Sequence, residues 1–377
     1  MKKSMVLILT GVLLLCGLTA CGTAKEPENN TDTAVSEAES KSETKPTEPS
    51  TEGETYELDV AITFGEPATR HILASLDEVT EKSGGRVTFN VYPSNSLISI
   101  PEIPDALKDG VADIAVVPSV NYPSVLTYNA EMIGMPFSGI EDSYMACDLW
   151  NALYAEFPEL EEEWQQLGAH VWYTYATPGY NLYMTDKDSE VHTPADLAGH
   201  KVMSGKTQWL DVVNKNGGAG IQAAPTVYYE NLEKGVADSV IQSYGTVRTF
   251  GCLELIHGAT EFGTEGSYYD MFFIAISNNT WDSLPEDIQQ IFTEVNADNA
   301  ASVGENDRSM EDLANAYKEA PEDMNTAVLT EEELGSWYTA FEEVNQSYLT
   351  QLADTYKKDK VSDMYDFMKD WIAQNSK

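Results

Sequence analysis

The amino-acid sequence predicts an α/β fold of two related lobes, and three observations predict it. From Tyr56 onward, short apolar runs alternate with amphipathic helical stretches, the pattern of α/β domains. A helix, glycine and strand unit occurs twice: Leu107-Lys108-Asp109-Gly110-Val111-Ala112-Asp113 leads into Ile-Ala-Val-Val, and Leu232-Glu233-Lys234-Gly235-Val236-Ala237-Asp238 leads into Ser-Val-Ile-Gln. The 377 residues, 42% of them apolar, are enough for two cored domains at about 150 residues each. In the shared LxxGVAD string, Leu anchors the helix, Gly takes the left-handed position and Asp enters the strand. Each lobe then presents a strand end and its following loop towards a shared cleft, the usual ligand position in such sheets.

Leu58 to Phe64 reads as the first strand. Pro67 opens a helix with Ile72, Leu73, Leu76 and Val79 on one face, and Gly84-Gly85 stops it. Arg86 to Tyr92 alternates as a second strand, Ile103 to Lys108 is a short helix ended by Gly110, and Asp113 to Val117 is a buried strand. Cys147 falls in a helical stretch with Tyr144, Leu149 and Trp150, and His170 to Tyr175 and Tyr180 to Met184 are consecutive strands broken by Pro178-Gly179. Thr193-Pro194 caps a short helix that Gly199 ends, and Lys201 to Met203 continues as a strand. The second lobe closes near Phe262, and Met271 to Ser277 returns to the first. A long helix begins at Pro285 with Ser283 as its N-cap and Ile288, Ile291, Phe292 and Val295 on one face; helical sequence, broken at Pro321, runs on to the C-terminus.

Charge removes several functions. Against 62 Asp and Glu stand 22 Lys and Arg, a formal charge of -40 that repels nucleic acid and anionic lipid surfaces alike. Lys2 and Lys3, an apolar run from Met5 to Leu15, and Leu18-Thr19-Ala20-Cys21 read as a signal segment over residues 1–20, too short for a membrane-spanning helix. Small residues before Cys21 resemble the lipobox of bacterial lipoproteins, which implies lipidation of the Cys21 thiol. Residues 21–55, rich in Ser, Thr, Glu, Pro and Asn, form an acidic tether that cannot bury a core. Cys147 and Cys252 are too far apart in sequence for a disulfide framework and read as buried free thiols.

The order of features from about Leu58 to about Ala300 resembles the DctP-type substrate-binding proteins of TRAP (tripartite ATP-independent periplasmic) transporters. Four segments carry the resemblance: Gly84-Gly85-Arg86-Val87 to Tyr92-Pro93; Leu107 to Asp113; Thr193-Pro194-Ala195-Asp196-Leu197-Ala198-Gly199-His200-Lys201-Val202; and Ser277-Asn278 with Leu284-Pro285-Glu286-Asp287-Ile288-Gln289. It implies a two-lobed periplasmic-binding-protein-like (Venus flytrap) fold, joined by strands and a long helix, with a solute trapped between the lobes. Lobe I would comprise 56–178 and about 264–306, and lobe II 179–263 and about 307–377.

The family clamps a ligand carboxylate with an Arg where this chain has Met203, which removes the bidentate fork suited to carboxylates. Lys206, Arg70 or Arg248 are the cations that stand in for it. The resemblance carries over ligand contacts to Asn121, Asn181, Met203, Pro225 and Gln242; Tyr180 and Tyr244 flank these as aromatic walls. Glu66, in the loop after the first strand, is a site for a cationic group or a solvated carboxylate.

Catalytic chemistry finds little footing in the sequence. Ser204-Gly205-Lys206-Thr207 resembles the tail of a phosphate loop, but His200 stands where the upstream Gly belongs. The five histidines show no metal-ligand pair, HExxH and GxSxG are missing, and Glu161-Glu162-Glu163 and Glu331-Glu332-Glu333 read as solvated helical faces. The expected protein is a monomeric lipoprotein on the outer face of a Gram-positive membrane, using no cofactor or metal. It binds a small organic solute, an organic acid though not a simple dicarboxylate, and passes it to TRAP permease subunits. A sensor feeding a kinase and a cell-surface hydrolase are the alternatives.

Overall fold

The computed structural model describes residues 53–63, 70–263, 266–301 and 324–376. The signal segment, Cys21, most of the tether, Phe64, Glu66, Pro67, Pro321 and the Arg70 side chain lie outside the described residues.

The chain opens with β1 (Tyr56–Ala61), α1 (Arg70–Lys82) and β2 (Val87–Tyr92), followed by α2 (Ile103–Asp109) and β3 (Ile114–Pro118). Three helices, α3 (Thr127–Glu131), α4 (Ser143–Glu156) and α5 (Glu159–Leu167), lead to β4 (Ala169–Ala176). The chain then forms β5 (Asn181–Met184), β6 (Lys201–Ser204), α6 (Thr207–Lys215), β7 (Ala219–Gln222), α7 (Tyr228–Glu233), β8 (Ser239–Gln242), α8 (Tyr244–Thr249) and β9 (Gly258–Glu261). Last come β10 (Met271–Ser277), α9 (Asn278–Ser283), α10 (Glu286–Ala301), β11 (Asn325–Val328), α11 (Glu331–Tyr356) and α12 (Val361–Asn375).

Two sheets result, one per lobe. The first runs β2-β1-β3-β10-β4, with β10 antiparallel to both neighbours, and the second runs β11-β9-β5-β8-β6-β7. The central strands of both sheets are buried on both faces. In the first, Val60, Ile114, Val116 and Ile274 face one cluster while Ala61, Ala115, Val117 and Phe273 face the other. In the second, Leu182, Val202 and Ile241 oppose Tyr183, Met203 and Val240 in the same way. Alternation at period two with apolar residues at every position is the signature of a sheet covered by helices on each side.

The repeated turn does the same work in each lobe. Gly110 and Gly235 both adopt left-handed backbone, at φ 72° and 65°. The aspartate that follows then pins the parallel neighbour: Asp113 Oδ2 accepts the Asp59 amide of β1 at 2.8 Å, and Asp238 accepts the Lys201 amide of β6 at 3.1 Å. A carboxylate accepting a charge-assisted bond at the strand entrance fixes the register of the parallel pair.

The structure departs from several expectations. Ser283 is no N-cap of α10; it closes α9, its hydroxyl donating to the Thr280 carbonyl at 2.7 Å. The C-terminal stretch read as helical beyond the break at Pro321 instead contains β11, which pairs in parallel with β9 from Asn325 to Val328. Its four residues are too few for a strand period to stand out against helical flanks. Glu163 is no solvated residue: it is 1% exposed, accepts the amides of Tyr128 and Asn129, and pairs with Lys358 Nζ at 2.6 Å. Glu333 closes a capping box with Thr330 at the start of α11.

Residues 324–376, the described part of the stretch expected in the second lobe, pack against the cores of both lobes. Trp337, Phe341 and Val344 of α11 sit in the second lobe's core, whereas Leu349, Leu352 and the α12 residues Met364 and Met368 join the first lobe's. One continuous helix thus links both cores. Phe137, at φ 52°, reaches the opposite way, stacking on Trp337 among Trp209, Phe262 and Phe341.

Candidate functional site

Strand β6 ends at Ser204, and its hydroxyl accepts the Lys206 amide at 3.1 Å, turning the chain into α6. That turn aims Lys206 from the second lobe into the first. Its side chain is 4% exposed, and Nζ lies 3.6 Å from Asp270 Oδ1, at the entrance of β10, and 3.7 Å from Glu131 Oε2, at the end of α3. Both carboxylates are themselves buried. Gly134 makes the room: a Cβ there would lie 2.5 Å from the Lys206 Nζ.

Aromatic rings enclose the charges. The Tyr268 ring lies 5.6 Å from the ammonium, and Tyr180 stacks on Tyr268 with centroids 4.2 Å apart. The Tyr180 hydroxyl donates to Asp270 Oδ2 at 2.7 Å. Burial, then the Asp270 charge, pushes the Tyr180 and Tyr268 hydroxyls well above the ordinary phenol range, and burial pushes Tyr228 up to about 12. Desolvation is the largest single influence on Lys206 and pulls it down, yet Glu131 and Asp270 together hold it above its ordinary value. Tyr348 of α11 sits beside Glu131, raised by burial and by that carboxylate.

Three of the sequence-derived residues meet here. Tyr180 and Lys206 join through Asp270, and Gln242 contacts the Tyr228 hydroxyl at 3.5 Å while its Oε1 accepts the Ser243 amide. Asn181 pairs in register with Gln242 and accepts the Phe262 amide at 2.9 Å. Met203 is fully buried in the apolar cluster around Tyr228, Leu232 and Val240, its sulfur 3.6 Å from Asn231 Nδ2. It offers the cleft no polar group. Tyr244 is half-buried against Tyr183, with rings 5.8 Å apart.

Asn121 and Pro225 stand outside the hydrogen-bond and ion-pair network of Lys206 among the described residues. Asn121 is exposed and donates to the Pro118 carbonyl; Pro225, itself half-buried, opens a mostly exposed turn before α7. Arg248 lies half-buried in the last turn of α8. Glu131, Asp270, Tyr228 and Tyr268 escaped the sequence reading, though two of them left a trace. Glu131 is a lone acid in the apolar run Ala130 to Phe137, and Asp270 directly precedes the uncharged strand Met271–Ser277.

His200, Asp238 and Ser239 also come together, but in no relay. The Asp238 carboxylate at 3.1 Å and the Ser239 hydroxyl at 3.5 Å both face His200 Nδ1, whereas a nucleophile needs hydroxyl and carboxylate on opposite ring nitrogens. Cys147 and Cys252 are buried free thiols, pushed by burial to about 12 and about 11, far from the thiolate range a nucleophile needs.

The model of the family "Bacterial extracellular solute-binding protein, family 7" (DctP) matches residues 66–351. A "Solute-binding protein" of Albidiferax ferrireducens is 25% identical over 224 residues, 59% of this chain and 63% of its own length, so the chain spans just under two thirds of that curated relative. A crystal structure of a marine metagenome TRAP solute binding protein, specific for aromatic acid ligands and holding metahydroxyphenylacetate, superposes with a TM-score of 0.72 at 18% identity, covering 85% of this chain and 100% of that one. A TRAP periplasmic solute binding protein from Rhodoferax ferrireducens with bound malonate gives 0.67 at 18% identity, covering 84% and 99%. These two likenesses establish the two-lobed fold.

Proposed function

We propose that this chain, which belongs to the bacterial extracellular solute-binding proteins of family 7 (DctP), captures a small organic solute between its lobes and delivers it to the membrane subunits of a TRAP-type transporter. In this reading it works as a monomer outside the cell, held to the membrane by a lipid on Cys21. The single observation that carries it is the Lys206 cluster, where a buried ammonium of the second lobe faces two buried carboxylates of the first. Charged groups withdrawn from water at a lobe boundary, walled by tyrosines, are what a polar solute site requires.

Tyr180, Asn181, Lys206 and Gln242 are the solute-facing residues of this reading, with Tyr244 at the margin and Met203 as apolar floor. A lobe that closes on its solute gives the permease two distinguishable forms. The population of the closed form shifts only by as much as the solute prefers it. A melting-temperature screen over carboxylates, sulfonates, sugars, nucleosides and amines, followed by small-angle scattering with the best compound, tests the reading. The expected result is a raised melting temperature, a smaller radius of gyration and recovery of the compound unchanged. Chemical turnover of the bound compound, or no response from any class, would sink it.

A further inference from the structure

Two neutral polar residues of the proposed site have partners: Gln242 holds the Ser243 amide and Asn181 the Phe262 amide. The charged ones are less complete. Lys206 Nζ, Asp270 Oδ1 and Glu131 Oε2 are buried without a hydrogen-bond partner among the described residues. Their separations of 3.6 and 3.7 Å are ion-pair distances beyond hydrogen-bond reach.

Two carboxylates against one ammonium leave a formal charge of -1 in a site closed to water. Bringing in a solute carboxylate would double that excess; bringing in a cation would cancel it, and an unbalanced buried charge costs several kcal/mol. The surroundings favour the same sign. Tyr268 already turns its ring to one ammonium at 5.6 Å, and Tyr180 extends that aromatic wall. Met203, buried among apolar side chains, supplies no fork for a carboxylate. Two carboxylate oxygens that lack donors call for a nitrogen that still bears N–H groups, which a quaternary ammonium does not.

Resting on the solute-capture reading above, we infer that the solute carries a protonated amine, which lies between Asp270 Oδ1 and Glu131 Oε2 against Tyr268 and balances two negative charges with Lys206 as the second positive one. Lys206 is then a charge-balancing neighbour rather than the clamp for a carboxylate.

The test uses the full chain with two pairs of compounds that share a size and differ in charge: tyramine with 4-hydroxyphenylacetate, and butylamine with butyrate. Melting shifts and titration calorimetry at neutral pH read the result. At least one amine is expected to bind while its carboxylate counterpart does not. Asp270→Asn and Glu131→Gln, which keep size and shape, should each weaken the amine by about tenfold or more, the loss of one charge-assisted bond. Lys206→Met should tighten amine binding, because the amine then meets Glu131 and Asp270 without a competing ammonium beside it.

Carboxylate binding that Lys206→Met abolishes would overturn the inference, as would amine binding indifferent to both isosteric variants, or no binding by any of the four compounds. In those cases, a melting shift from an anionic or neutral solute in the broader screen leaves solute capture standing and removes only the charge assignment. Silence from every solute class removes both.

Discussion

The two LxxGVAD turns, one per lobe, start alike and finish differently. Both place a left-handed glycine before an aspartate that holds the entrance of a parallel strand. Beyond the strands the likeness ends. After β3, Ser119 turns its hydroxyl back to the Met271 carbonyl and locks the first sheet to itself. After β8, Gln242 carries the chain towards Tyr228 at the edge of the charged site. The aspartates differ too: Asp113 takes the Thr280 hydroxyl as its second partner at 2.6 Å, while Asp238 takes His200 and Ser239. A turn repeated in sequence therefore fixes a scaffold twice, and whatever follows the strand end decides which copy borders the Lys206 cluster.

The largest test of this contrast lies where one lobe borrows from the other. Phe137 fills the second lobe's aromatic core, and Phe137→Ala should cost about 3–5 kcal/mol, the usual loss for a truncated buried Phe. Hydrogen exchange should rise first in β5, β6 and α6. Equal loosening in β1 and β3 would mean that the lobes unfold as one block and share their stability evenly.

A middling effect should separate the two aspartates. Asp113→Ala removes a partly buried bond to the Asp59 amide and another to Thr280, and should cost about 2–3 kcal/mol in urea melts. Asp238→Ala, whose side chain is 36% exposed, should cost about 1 kcal/mol. Equal losses would break the distinction between the copies.

The smallest effect concerns pH. The hydrogen bond to Asp238 raises His200 above its ordinary value despite burial. Burial works to raise Asp238, but His200, Ser239 and the Lys201 amide together hold it below the ordinary carboxylate range. The carboxylate's contribution to stability is present above about pH 4 and lost as pH falls through its lowered value. The imidazole's is present below about pH 6.5 and lost as pH rises through its raised value. The advantage of the native chain over Asp238→Asn should therefore be greatest between those limits. Urea melts from pH 3 to 9 check this; a flat difference would remove His200 from the account.

Much of the scaffold was legible because its signals are local. Ile72, Leu76 and Val79 line the buried face of α1 as their spacing requires, and Gly84 and Gly85 stop it with positive φ. Ser283 misled because a serine before Leu-Pro fits an N-cap as well as it fits the end of the preceding short helix. Glu163 misled because three successive glutamates give no sign of which one turns inward; that depended on α3 presenting two free amides and on Lys358 arriving from the end of α11. Of the residues gathered around Lys206, the sequence reading named Tyr180, Lys206 and Gln242 but not Glu131, Asp270, Tyr228 or Tyr268, since nothing local marks an acid or a tyrosine as facing another lobe.

What the sequence determined alone was two α/β lobes, their glycine-stopped turns and their family, because backbone preference and hydrophobic period act over a few residues. The meeting of Lys206 with Glu131 and Asp270 was decided only by the tertiary structure. Three stretches of chain remote from one another had to converge, and the sign of a buried site is the sum of charges that no local pattern adds up.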